Sequence, residues 1–277
     1  MHNQVQPIGE AYDLIAAHYD DLWSKHVATP QRRLTAELEL KRGERCADLG
    51  CGTGVDTLEM VRVVAPGEVV GVDVSARMLD SARRRAAAAG CSLTTQCQGA
   101  EEFIEQAEDQ SFDVLSLRFC LGYLNWQRAL ARLPRLLRPQ GRVGILTILA
   151  GSAPQALGTY HGMAKQLGLP EAPLTALEQI DSIAQQLTAA AMNVRASWLH
   201  RFRLTFASGE QLASWLRASG IATSPELAAA PAQIVEWLWR EFATRVEAYR
   251  EGDVVPLDFV LAGVIAEKLE VPRAPVM

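Results

Sequence analysis

The sequence predicts an α/β fold built on a doubly wound, mostly parallel sheet. Between residues 45 and 149 short apolar runs alternate with helical stretches, and a glycine-rich turn, "DLGCGTG", closes the first run. With 49% hydrophobic and 21% charged residues among 277, the chain can bury one sizeable core. The first forty residues read as helices. Tyr12, Ile15, Ala16 and Tyr19 share a face, and Pro30 fits the start of a second helix running to about Leu40. "RCADL" is a strand, and "GTGVDTLEMVRVV" begins the helix behind it. "EVVGVDV" is the second strand. Ser75 caps the helix "ARMLDSARRRAAAA", and Gly90 stops it. "SLTTQCQ", "FDVLSLRF" and "PQGRVGILTIL" supply strands three to five, with "WQRALARLPRLL" helical despite Pro134.

Beyond Leu149 the pattern loosens. Residues 151–173, rich in Gly and Pro, read as a loop with a short helix, followed by the amphipathic helix "TALEQIDSIAQQLTAAAM". "NVRASWLHRFRLTF" alternates like a sixth strand. Two helices, "GEQLASWLRASG" and "PAQIVEWLWREFATRVEAYR", precede a last strand, "PLDFVLAGVIAEK". The seven strands thus carry N-terminal helices at one end and a helical cap between the last two.

A net charge of −5 gives no electrostatic footprint for nucleic acid. No apolar run approaches the roughly eighteen residues of a membrane span, and the start reads as neither signal peptide nor anchor. Cys46, Cys51, Cys91, Cys97 and Cys120 lack paired CxxC spacing, so no zinc site is expected, and free thiols suit a reducing cytoplasm.

The glycine turn places bare main chain at the ligand edge of the sheet. A dinucleotide fingerprint needs GxGxxG, whereas Gly50, Gly52 and Gly54 give GxGxG, with Val55 where the third glycine would stand. Asp48 beside the turn would repel a pyrophosphate and attract an ammonium. S-adenosyl-L-methionine, with an ammonium, a sulfonium and no phosphate, matches that pattern. Asp73, at the end of the second strand, suits two ribose hydroxyls, a role shared with dinucleotide folds. Val74 and Met78 stand where an adenine could be flanked, although Met78 fits core packing equally well. A nicotinamide or flavin oxidoreductase is the rival that this loop disfavours. A module that holds the cofactor without transferring methyl is a rival with the same loop.

"ADLGCGTG", "GVDVSARML", "FDVLSLRFCLGYL" and "LPRLLRPQGRVGIL", in this order and spacing, resemble class I (Rossmann-like) S-adenosylmethionine-dependent methyltransferases. The group containing the ubiquinone/menaquinone and malonyl-carrier enzymes is the most similar. The resemblance spans about residues 10–150, and "PLDFVLAGVIAEK" resembles the family's final, antiparallel strand. It implies a cofactor site of Asp48, Gly50, Gly52, Gly54, Asp73, Val74, Met78, Gly99, Ala100, Arg118 and Phe119, with Tyr19 covering the cofactor from "YDLIAAHYDDLW". Where the family carries "GDAE", this chain has "QGAEE". Gly99 replaces the acid, leaving Glu101 or main chain for the adenine amino group.

The chain is accordingly read as one domain, 1–277. It divides into a helical lid (1–40), a cofactor-binding core (41–150), a substrate-side loop, helix and sixth strand (151–206), a helical cap insertion (207–252) and a final strand and tail (253–277). Methyl transfer from a sulfonium needs alignment in a water-poor pocket, and a base only where the nucleophile holds a proton. His161 and Tyr123, near the ligand edge, are the candidate catalytic groups. Trp198, Trp215, Trp237 and Trp239 fit a core at helical spacing. Should two of them line the cap, the substrate is hydrophobic or flat. "RRR" at Arg83–Arg85 reads as a solvated helix face. The expected activity is O-methylation of a small, largely apolar or carrier-bound metabolite, at a hydroxyl, enol or carboxyl. Carbon methylation of a prenyl, quinone-like or activated-methylene acceptor is the alternative. A cytoplasmic monomer or homodimer without membrane insertion is expected.

Overall fold

The computed structural model describes residues 5–169, 179–219, 227 and 229–269. The sheet grows from β1 (Arg45–Leu49), whose residues after Arg45 are all buried, as a central parallel strand covered on both faces requires. Around it lie β2 (Glu68–Asp73), β3 (Thr94–Cys97), β4 (Phe112–Arg118), β5 (Leu137–Ile148), β6 (Met192–Phe206) and β7 (Val255–Lys268). Their order is β3-β2-β1-β4-β5-β7-β6. β1 to β5 pair in parallel, and β7 runs antiparallel to both β5 and β6. The chain reverses direction across the sheet between β1 and β4, which opens a crevice at the carboxyl ends of those strands.

Helices cover both faces. α2 (Lys25–Glu37) and α3 (Val55–Val64) contribute Leu34, Met60 and Val64 to one core, together with Leu38 just past α2. α5 (Ala100–Gln106) and α6 (Trp126–Leu136) contribute Phe103, Ile104, Leu130 and Leu133 to the other. α4 (Ala76–Ala88) starts at the expected cap, with Ser75 Oγ accepting from Met78 N at 3.1 Å.

Two expectations are corrected. Pro30 does not begin a helix. α2 starts five residues earlier and carries Pro30 inside it, because Val27, Pro30 and Leu34 form a buried stripe at helical spacing. That stripe outweighs the hydrogen bond that the proline cannot make. Before α2 come α1 (Val5–Ile15) and a π-helical turn, Asp20–Ser24. The segment after β5 holds a full helix, α7 (Pro154–Gln166), rather than a loop with a short one. Pro154 sits in its first turn, and Ala156, Tyr160, Met163 and Ala164 make one buried face. The helix after it is α8 (Ile180–Ala189); the earlier part of the predicted amphipathic helix, up to residue 178, lies outside the described residues.

β6 and β7 outgrow the rest of the sheet. β5 pairs with β7 only as far as Ile148↔Leu261, whereas β6 and β7 remain paired to Phe206↔Val255. The overhang rises above the ligand edge. Between its strands, α9 (Gly209–Ser219) and α10 (Ala232–Val246) pack against each other.

Candidate functional site

The chain leaves β1 through three glycines, all left-handed: Gly50 at φ +75°, Gly52 at +53° and Gly54 at +78°. Their surroundings differ. A Cβ on Gly50 would lie 2.7 Å from that of Cys120, and one on Gly54 2.7 Å from that of Ala82. At Gly52 nothing lies within 4 Å. The outer glycines therefore let the loop pack down, while the middle one presents bare main chain to a pocket.

That pocket encloses about 380 Å³ out to its mouth, and Tyr19, Asp48, Gly52, Asp56, Arg118 and Phe119 are among its walls. Asp48 is 1% exposed. Its Oδ2 accepts from Thr57 Oγ1 at 2.6 Å, and its Oδ1 is buried with no partner. A buried carboxylate oxygen without a donor is costly, so this one is poised to receive a cationic N–H. The residues thus fit the amino-acid end of S-adenosylmethionine, with a carboxylate for the ammonium beside open main chain.

Asp73 holds the loop from the side. Its Oδ2 accepts from Gly52 N and its Oδ1 from Ser75 N, both at 2.9 Å, which leaves further lone pairs for ribose hydroxyls. Burial pushes its carboxyl up to about 6 against the pull of those two hydrogen bonds. Asp56, in the first turn of α3, is also held up at about 6 by burial, opposed by the Arg118 guanidinium 3.2 Å away. Arg118 is tied further to Ser116 Oγ, the Gln31 carbonyl and Thr35 Oγ1, and Gln31 Nε2 donates to Asp56. The sequence did not single out Asp56 or Gln31. Asp56 was legible only as an acid at a helix start, and Gln31 carried no signal.

The N-terminal segment closes over the site. Gly9 lies so near the Val74 carbonyl that a Cβ would come within 2.6 Å of its oxygen. Asp13 Oδ1 accepts from Ser75 Oγ at 2.6 Å and Arg77 N at 2.9 Å. Tyr12 and Tyr123 share a hydrogen bond between hydroxyls at 2.8 Å, and the Tyr19 ring meets Tyr12 edge-on. Burial raises all three tyrosines above their usual range. Tyr123 thus stands against the lid, its hydroxyl paired with that of Tyr12. Met78 is 1% and Ala100 8% exposed. Glu101 Oε1 accepts from Asn125 N, which turns it to the start of α6.

Phe119 links this pocket to the overhang. It is itself left-handed at φ +56°, a strained backbone of the kind that gathers at functional sites. Its ring meets Trp23, from the π-helical turn, at 5.8 Å, and Trp23 also touches Phe202, Trp215 and Phe259. Trp215 Nε1 donates to the Leu22 carbonyl at 3.2 Å, which fastens α9 to that turn. Of the other tryptophans, Trp239 is core, Trp198 lies under Arg33 and donates to Glu37, and Trp237 is exposed. His161, on α7, is not among the pocket's walls; its Nε2 is buried without a hydrogen-bond partner.

Residues 46–141 match a family model described as a methyltransferase domain, the stretch that holds the glycine loop, Asp73 and Arg118. This stretch is similar to the cofactor-binding half of class I S-adenosylmethionine-dependent methyltransferases. Among curated proteins, the chain is 30% identical over 149 residues to the demethylmenaquinone methyltransferase of Lactobacillus johnsonii, covering 50% of this chain and 61% of that one. It is 24% identical to the malonyl-[acyl-carrier protein] O-methyltransferase of a Marinomonas strain, over 94% of this chain and 93% of the relative. Its fold is similar to that of the [4+2]-cyclase SpnF, with TM-score 0.64, 20% identity and 97% coverage of both chains. The chain spans 57–61% of the length of the first quinone methyltransferases it matches.

Proposed function

We propose that this chain transfers the methyl group of S-adenosylmethionine to oxygen on a small, largely apolar metabolite. The acceptor carries a hydroxyl, enol or carboxyl, and is free or carrier-bound. The observation that carries the reading is the unpartnered Asp48 Oδ1, buried beside the open face of Gly52. When bound, S-adenosylmethionine supplies a methyl already activated on a sulfonium. The chain's part is to hold and to exclude. Asp48 takes the ammonium and Asp73 the ribose hydroxyls, while Tyr19 covers the site. Gly50 and Gly54 keep the loop close, and Val74, Met78, Gly99 and Ala100 line the base.

On the acceptor side, Phe119 and the rings around Trp23 keep water away and favour an apolar partner. His161, with its buried lone nitrogen, is the candidate proton acceptor. Oxygen is preferred to carbon because the likeness to the O-methyltransferase runs through the acceptor half, whereas that to the quinone methyltransferases stops at about half of this chain. The residues 207–252, as a cap, select the acceptor. No helix among the described residues is long and apolar enough to cross a membrane, and the cytoplasm is the proposed location for a monomer or homodimer.

The test is transfer of labelled methyl across a panel of hydroxyl, carboxyl and activated-carbon acceptors. Label is expected on an oxygen acceptor, and His161→Ala should lower kcat on a hydroxyl at least about tenfold. Firm S-adenosylhomocysteine binding with no transfer to any acceptor would favour a cofactor-holding module instead.

A further inference from the structure

The three arginines on α4 are not equivalent. Arg83 pairs with exposed Asp80 on its own helix and donates to Thr95 Oγ1 on β3 at 2.7 Å, while Arg84 reaches Ser81 Oγ on α4. Arg85 crosses to the cofactor loop. Its Nε donates to the Thr53 carbonyl at 3.1 Å, between Gly52 and Gly54, and its Nη2 donates to Asp20 Oδ2. The other oxygen of Asp20 accepts from Thr53 Oγ1 at 2.6 Å and Ser24 Oγ at 2.8 Å. One carboxylate and one guanidinium therefore gather three segments: the π-helical turn of the lid, the glycine loop and α4.

Both ends of Thr53 are gripped, its hydroxyl by the lid and its carbonyl by α4. The preceding residue is Gly52, whose N–H is fixed on Asp73. The Arg85–Asp20 pair, about a third exposed on each side, contributes little as an isolated ion pair. Its leverage lies in geometry. Moving the lid pulls on the Thr53 hydroxyl, and moving the loop pulls on Asp20.

We infer that Arg85 and Asp20 are positioning residues that couple closure of the lid to the cofactor-seating shape of the glycine loop. This rests on the cofactor reading above. Neither residue is needed to touch the cofactor; both act through Thr53. Because coupling between two events is reciprocal, cofactor binding must order the lid as much as the lid orders the loop.

Hydrogen exchange of residues 9–24, read with and without S-adenosylhomocysteine, tests the inference beside the thioether's Kd and the cofactor KM. In the native protein the thioether should slow exchange of that segment. Arg85→Met and Asp20→Asn should each weaken binding roughly five- to tenfold and abolish the slowing. At saturating cofactor kcat should stay within about twofold, so the loss appears in KM. Arg85→Lys should recover part of the coupling, which a merely structural role would not predict. Thr53→Val, which keeps volume and removes the hydroxyl, should uncouple in the same way and serves if either charge variant folds poorly. Native-like affinity and native-like protection in folded variants overturn the inference alone. A native protein that ignores the thioether removes the cofactor reading, and this inference with it.

Discussion

The two halves of this molecule are built by different means. On the cofactor side, between β1 and β4, the binding surface is main chain turned by three left-handed glycines, with Asp48 and Asp73 fixed at strand ends. The residues concerned lie close together in the chain. Beneath the β6–β7 overhang the contacts are made by side chains alone. Trp23, Phe119, Phe202, Trp215 and Phe259 are drawn from across the whole sequence and meet only in three dimensions. A backbone site tolerates change around it but not within it. A side-chain cluster can be rebuilt residue by residue.

That contrast can be broken most severely at Trp23. It is 3% exposed and joins the lid to both overhanging strands, so Trp23→Ala should cost about 3–5 kcal/mol of stability by chemical denaturation. A loss under about 1 kcal/mol would mean that the rings are loosely packed rather than the keystone of the overhang. The cofactor side should respond differently. Asp48→Asn keeps the shape and the Thr57 contact but removes the charge. Calorimetry should show S-adenosylmethionine binding weakened about tenfold, near 1.4 kcal/mol, with little change in stability. Equal affinity would remove the ammonium from Asp48.

The smallest effect sharpens the comparison through pH. Burial holds Asp56 and Asp73 up at about 6, so below that pH both carry protons in the free protein. A cationic ligand favours their ionised forms and releases those protons on binding. Affinity should be full above about pH 6 and fall by up to about tenfold per unit and per group below it. The same upward shifts mean that these two carboxyls favour the native state most when protonated. That contribution fades as pH rises from about 4 to about 6. An affinity for S-adenosylmethionine that stays flat across this range would show that neither carboxyl senses the ligand's charge.

Legibility followed the same divide. The glycine spacing, the strand-end acids and the seven strands were readable because each depends on local chemistry: left-handed turns, alternating burial, caps such as Ser75. Pro30 misled because a buried stripe overrode a local helix rule. Residues 154–166 misled because Pro154 and two glycines concealed a four-residue apolar face. The Arg83–Arg85 run read as uniform charge, yet Arg85 alone has a carbonyl and a carboxylate waiting across the groove. Tyr123 lies just past β4, but its hydroxyl partner, Tyr12, lies 111 positions away.

By itself, then, the order of residues determined the sheet, the donor loop and the charge beside it, since these follow from backbone sterics and short-range hydrogen bonding. Only the tertiary structure decided which aromatic rings converge, which arginine grips the loop and which carboxylate oxygen is left without a donor. Burial and partnership are properties of segments meeting in space, and no local pattern encodes which distant segment will arrive.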